Sequence, residues 1–292
     1  MAFSTTLKAL VILAASASQV LAQNCACGYK DNSGHVWREA IVSDFTQASG
    51  ALAAVNANWI VATDFENQPT GTANIQYTSA NVFQFQDALG LKASAYDNSG
   101  SVKCAEIFTK RADIQYGTFR MRAQVPSVPG VVFGFFTYIT DSQEQDIEFL
   151  SSDPDYYQRL YYTNQPGQLP NGDVDPNAAK NVVISGADFT TFGNHRIDWL
   201  PGATTYSYAG TSGSGASITS STTISKNVPT TPSEFILNVW SNGDQRFSKG
   251  PPTRDAIATV QSVNLYFNST SFSATSFSNA CRAAGNIAPC SV

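Results

Sequence analysis

Between Gln143 and Leu150 an acid stands at every second position: Glu144, Asp146 and Glu148, with Gln145 and Ile147 between them. On a β-strand alternate side chains leave opposite faces, so the three carboxylates point one way while Ile147 and Phe149 point into a core. Three like charges on one sheet face are costly unless they have a use. The segment therefore predicts a strand with two very different surfaces, one apolar and one acidic.

The wider chain is consistent with β structure. Charged residues make up only 13% and aromatics reach 12%, a composition that suits an extracellular β protein better than a helical one. Helical periodicity is weak; residues 47–59 are the best candidate, for a short helix. Strand-like segments recur at 118–125, 131–138, 146–150, 157–163, 195–199, 235–240 and 263–267, with turn signals between them. The run 131–138 is almost continuously apolar, as expected of a strand buried on both faces. The low-complexity stretch 209–217 has strands on either side and is predicted to be a hairpin loop. The expectation is an all-β sandwich or jelly roll.

Residues 1–22 have the features of a signal peptide: Lys8, an apolar core over 9–15 and Val20-Leu-Ala22 before Gln23. The apolar run is too short to span a bilayer. Residues 23–292 are then expected to form one secreted, soluble domain that acts as a monomer. Net charge is -5, which argues against nucleic acid and anionic membrane as partners. Two distant histidines, His35 and His195, leave no zinc signature, and neither a metal nor a cofactor is expected. In an oxidising compartment the five cysteines should pair and leave one over. Cys281 with Cys290 closes a short loop, and Cys104 then takes Cys25 or Cys27, a choice left open. Asn268-Ser-Thr270 is a glycosylation sequon.

Paired carboxylates flanking a sugar are what retaining glycoside hydrolysis requires, one as nucleophile and one as acid and then base. The resemblance is wider than the triplet. Cys104-Ala-Glu, Tyr116-Gly-Thr-Phe-Arg-Met-Arg, Gly130-Val-Val-Phe-Gly-Phe-Phe-Thr-Tyr138 and Glu144-Gln-Asp-Ile-Glu-Phe-Leu150 resemble glycoside hydrolase family 16. Tyr161-Tyr-Thr-Asn164, Ile197-Asp-Trp199 and the 228–240 segment ending Leu-Asn-Val-Trp240 continue the resemblance in the same order, which covers roughly residues 100–268. It implies a concanavalin A-like jelly roll of two curved antiparallel sheets with a sugar-binding cleft. Carried over, Glu144 is the nucleophile, Glu148 the general acid/base and Asp146 the assisting carboxylate. Four residues of strand separate the glutamate Cα atoms by about 13 Å, whereas retention needs carboxyls about 5–5.5 Å apart. Two glutamates can lean across that gap, and two aspartates would be too short. Like-charge crowding is expected to keep Glu148 protonated while Glu144 stays ionised.

The same period of two assigns Phe235, Leu237 and Val239 to the core, and Asn238 and Trp240 to the opposite face. Asn238 and Trp240 match positions that line the family's cleft, as do Phe136, Tyr138, Tyr162 and Asn164. Trp199 and His195 are read as structural. Departures are visible as well. Ser142-Gln143 stands where many relatives of the lichenase type have Trp-Asp, Phe108 replaces a substrate-contacting arginine, Leu160 replaces an asparagine, and Gln261 takes the place of a calcium-binding acid. The leading expectation is a secreted retaining endo-β-glucanase acting on β-1,3 or β-1,3/1,4 linkages. A glucan transglycosylase and a non-catalytic lectin are the alternatives.

Overall fold

The computed structural model describes residues 24–212 and 215–292; the proposed signal peptide lies outside the described residues. Alternating burial organises the chain into two large sheets packed face to face. One has nine strands, running in space from Ala179–Val183 through Arg159–Asn164, Gln143–Leu150, Val132–Thr140, Glu234–Trp240 and Ser101–Thr109 to Asn74–Tyr77 and Phe65–Glu66, with Trp59–Val61 also paired to Ser101–Thr109. The other, of eight strands, is built around Ile114–Gln124 and Ala256–Ser269. All the strand segments expected from the sequence are present. The 209–217 stretch joins the antiparallel strands Ala203–Thr211 and Ser217–Ile224.

The core lies between the sheets and is strongly aromatic. Phe119 of the eight-stranded sheet meets Phe235 of the nine-stranded sheet with ring centroids 5.0 Å apart. Tyr162 stacks on Tyr206 at 4.7 Å. Phe149 contacts Phe133, Phe189 and His195. Phe235, Leu237, Val239, Ile147 and Trp199 have no exposed surface. Each such side chain contributes on the order of 1.5–3 kcal/mol through its burial, so the register of the central strands is firmly specified. His195 is buried among rings, and burial holds its imidazole neutral, down to about 3.

Two α-helices are present among the described residues. Ala51–Asn58 falls within the expected 47–59 segment and buries Ala51 and Val55. Ala274–Ala283 has no buried residue; Phe277, Ala280 and Cys281 are half-buried along one face, a short and weakly apolar stripe. Its signals are local: Ser273 accepts from the Ser276 amide at 3.0 Å, and Gly285 follows its end at φ 82°, a glycine stop.

This helix also explains why the expected cysteine pairing is wrong. Cys25 is bonded to Cys290 and Cys27 to Cys281, while Cys104 is free and buried in the Ser101–Thr109 strand. After the helix the chain turns into a short strand, Cys290–Ser291, which pairs in parallel with Tyr29–Lys30. That pairing sets Cys290 opposite Tyr29 and brings the two ends of the described chain together. Proximity in sequence favoured Cys281–Cys290; the terminal sheet decides otherwise. Peptide mapping under non-reducing conditions should recover both long-range links. Removing the first with Cys25→Ser/Cys290→Ser should lower stability by about 2–5 kcal/mol, read as a fall in melting temperature. Recovery of a Cys281–Cys290 peptide would contradict this arrangement.

Candidate active site

The exposed face of the nine-stranded sheet carries the acids. Antiparallel pairing aligns Glu106, Asn238, Gly134, Glu148 and Tyr161 in one row across five strands. The next row is Phe108, Ile236, Phe136, Asp146 and Thr163. Glu234, Tyr138 and Glu144 begin a third. Directly paired residues share a face, so these rows form the floor of a cleft.

Two adjoining hollows make up that cleft. One, of about 420 Å³, is lined by Glu66, Tyr77, Glu106, Phe136, Tyr138, the three acids Glu144, Asp146 and Glu148, Glu234, Asn238 and Trp240, among others. The other, of about 600 Å³, holds Tyr161, Thr163, Gln165, Lys180, Arg246 and Phe247. Glu148 lines both, so it stands at the junction and can address a group on either side. It makes no hydrogen bond to the described residues, whereas Asp146 is held from both directions. Gln165 Nε2 donates to Asp146 Oδ2 at 3.1 Å, and Asp146 shares a hydrogen bond with Glu144.

Burial is the main electrostatic force on these groups. Removal from water pushes the Glu144, Asp146 and Glu148 carboxyls above the usual carboxylate range. Their mutual charge is the lesser cause at Asp146 and Glu148, so desolvation outweighs the crowding expected from sequence. The hydrogen bond with Asp146 favours ionised Glu144, which leaves Asp146 as the proton donor in that pair. The upstream end of the strand is pinned by Gln143, whose Oε1 accepts from the Thr230 amide at 2.8 Å and the Thr231 hydroxyl at 2.6 Å.

Of the residues expected around the trio, Phe136, Tyr138, Asn238 and Trp240 line the cleft, and Trp240 is stacked against Phe247 at 6.1 Å. Tyr162 and Asn164 do not. They pair with Ile147 and Gln145, so they face the core, where both are fully buried and the Tyr206 hydroxyl donates to Asn164 Oδ1 at 2.7 Å. The cleft residues of that strand are Tyr161 and Thr163, one position away from the expected set. Leu160 lies in the core as well. Asn268 sits half-buried in the Ala256–Ser269 strand with its amide oxygen covered. Gln261 accepts from Arg122 Nε at 2.8 Å, and no group of three or more acids, histidines or cysteines among the described residues could hold a metal ion.

Glu106 was not singled out, although it stands in the Cys104-Ala-Glu motif. Asn238 Nδ2 donates to it at 3.2 Å, and burial, with Glu66 and Asp64 adding to it, pushes its carboxyl up to about 7. Its place on the same strand face as Phe108 was the available signal: both lie opposite Ala105 and Ile107, which are fully buried. Gly134 has a clear role too. A Cβ there would meet Asn238 Oδ1 at 2.6 Å and the Phe136 ring at 3.2 Å.

A family model described as Glycosyl hydrolases family 16 matches residues 69–258, and the chain belongs to this family. That membership supports glycoside hydrolase activity. The chain is 28% identical over 194 residues to a beta-glucanase of Paenibacillus macerans, a match covering 63% of this chain and 72% of the relative. Its fold is similar to that of the Bacillus licheniformis beta-glucanase (TM-score 0.59, 19% identity, 77% of this chain and 97% of that one). A Crh5 transglycosylase solved with NAG shares it at TM-score 0.51 and 20% identity, covering 78% and 84%. The two sheets are those of the family's jelly roll.

Two outcomes follow from this geometry. Gly134→Ala should keep the fold but displace the Asn238 amide, reducing turnover of a glycan substrate about tenfold, roughly 1.4 kcal/mol; unchanged kinetics would show that the gap is not used. Because the folded-state pKa values of Glu106 and Glu148 are raised, the stability linked to their neutral forms is complete below the unfolded value near 4.5. It is lost as pH rises through the folded values. Glu106→Gln and Glu148→Gln should therefore melt with the native protein at pH 4 and above it at pH 8, by on the order of 1–3 kcal/mol each. Coincident melting at both pH values would contradict the burial of these acids.

Proposed function

We propose that this protein is a secreted, endo-acting β-glucan hydrolase that cleaves β-1,3 or β-1,3/1,4 linkages with retention. The observation that carries the reading is the alignment of Glu144, Asp146 and Glu148 on one strand face, with Glu148 at the junction of two hollows. A chain lying across the strands places its scissile bond above Glu148. Glu148, protonated through its burial, donates to the leaving oxygen while Glu144 attacks the anomeric carbon. Glu148 then takes a proton from the water that opens the glycosyl ester. Asp146 keeps its proton toward Glu144 and orients it. A cleft that continues on both sides of the acid supports internal cleavage. The beta-glucanase relative supports the substrate class, and two disulfides are consistent with secretion. No helix among the described residues is long and apolar enough to cross a membrane.

Glu144→Gln should remain folded and lose several orders of magnitude in turnover on lichenan or laminarin, since an amide cannot form the ester. Glu148→Ala should be similarly impaired, and added azide should restore activity with release of a β-glycosyl azide. Near-native turnover by Glu144→Gln would remove it as nucleophile, and an α-configured first product from the native protein would mean inversion. Labelled acceptor oligosaccharides in the same assay report whether a sugar hydroxyl takes the place of water.

A further inference from the structure

Glu148 is the only carboxyl lining the second hollow, and it shares that space with three cations, Lys180, Arg246 and Lys249. An ammonium within hydrogen-bond reach of Glu148 would favour its carboxylate and spoil it as a proton donor at neutral pH. No hydrogen bond or ion pair from the described residues reaches Glu148. Its carboxyl is pushed up to about 8 by burial and then by the charge of Glu144, with no cation opposing them.

Asp153 accounts for that isolation. It sits on the turn between Gln143–Leu150 and Arg159–Asn164, is 6% exposed, and lies behind the hollow, outside its lining. Both of its oxygens are committed to residues that do line the hollow. Lys249 Nζ donates to Oδ1 at 2.6 Å, and the Tyr161 hydroxyl donates to Oδ2 at 2.6 Å. Tyr161 stands directly opposite Glu148 on the neighbouring strand. Lys249 comes from the loop after Trp240, and its carbonyl accepts from Ser152 Oγ at 3.3 Å. A desolvated carboxylate is costly unless its oxygens are paired, and this one draws its two partners from the rim of the cleft. The other two cations stand apart. Arg246 is almost wholly exposed beside Asp244, and Lys180 lies on the edge strand Ala179–Val183.

We propose that Asp153 is a positioning residue for Glu148: it holds the Lys249 ammonium and the Tyr161 hydroxyl away from the acid, which keeps its proton for the leaving oxygen. The inference rests on the hydrolase reading, in which Glu148 is the acid, and adds to it a residue that never touches substrate. The other titratable groups around Glu148 are Glu144 and Asp146 on its own strand, Tyr138, Glu234 and Glu106 on the strands to one side, and Lys180 and Arg246 across the second hollow. The acids raise its proton affinity, so only a cation set free in the second hollow can lower it. Arg159, which also feels the charge of Asp153, is engaged by Asp155 at 2.6 Å.

The test is the pH dependence of kcat/KM on laminarin or lichenan for the native, Asp153→Asn, Asp153→Asn/Lys249→Met and Asp155→Asn proteins. Asp153→Asn should move the alkaline limb, which reports Glu148, to lower pH by at least about one unit. Above the native limb kcat/KM should then fall about tenfold, while values on the acid side stay within about twofold. Removing Lys249 as well should return the limb to its native position. Asp155→Asn breaks the Arg159 pair on the same turn and should leave the limb unmoved. A second readout needs no substrate: the Glu148 carboxyl, followed by carbon NMR of glutamate-labelled protein and assigned by its loss in Glu148→Gln. It should titrate at least about one unit lower in Asp153→Asn and recover in the double variant. If Asp153→Asn does not fold, Asp153→Glu decides, with a smaller shift in the same direction that Lys249→Met reverses. An Asp153→Asn protein that melts earlier but keeps the native limb and titration would have lost only a structural ion pair, which overturns the inference. So does a shifted limb that Lys249→Met fails to restore, or an equal shift in Asp155→Asn. Failure of the native protein to cleave any β-glucan would defeat the hydrolase reading, and the carboxyl titration would still decide the role of Asp153.

Discussion

Everything at the site depends on the packing of Ile147 and Phe149 against the aromatic core. Phe149 touches Phe133, Phe189 and His195 at centroid separations of 5.7, 5.4 and 4.9 Å. Because a strand has a period of two, these contacts fix which way Glu144, Asp146 and Glu148 point; a slip of one residue would bury the acids and expose the rings. The core thus holds three carboxyls on a surface where burial penalises their charge. That cost leaves the carboxyls with raised proton affinity near neutrality, which is the chemical resource of the site.

What could be read from the amino-acid order follows the same rule. Where both faces of a strand were strongly marked, as in Glu144–Phe149 or Phe235–Trp240, orientation was legible. In Arg159–Asn164 the run Leu-Tyr-Tyr-Thr-Asn is ambiguous by one position, and only the register against Gln145 and Ile147 sends Tyr162 and Asn164 inward. Glu106 is harder to read: alternation with Ala105 and Ile107 sets its face, but a single acid carries no sign of its use until Asn238 and Gly134 are set beside it. The cysteine links depend on a two-residue parallel pairing, which leaves no periodic trace, and on a largely exposed helix whose half-buried positions Phe277, Ala280 and Cys281 give only a short one.

Charge is distributed with direction. The acids of the cleft lie on the Glu106 side of the junction and at it, and the cations of the cleft lie on the Tyr161 side. A bound glycan would therefore meet different chemistry on either side of its scissile bond. Gln143, tied to Thr230 and Thr231, and Gln165, tied to Asp146, keep the strand between the two halves in place. The shape and field of the cleft come from separate parts of the chain, whereas the three acids proposed for catalysis lie within five consecutive residues.

The proposed reaction passes through a covalent bond between Glu144 and the sugar. The most direct measurement is fragment-level mass spectrometry of the protein after incubation with a 2-deoxy-2-fluoro β-gluco-oligosaccharide bearing a good leaving group, which slows opening of the ester. One glycosyl adduct is expected, carried by Glu144 and absent from the Glu144→Gln protein. An adduct on Glu148, or turnover to an α-configured product with no adduct, would contradict it.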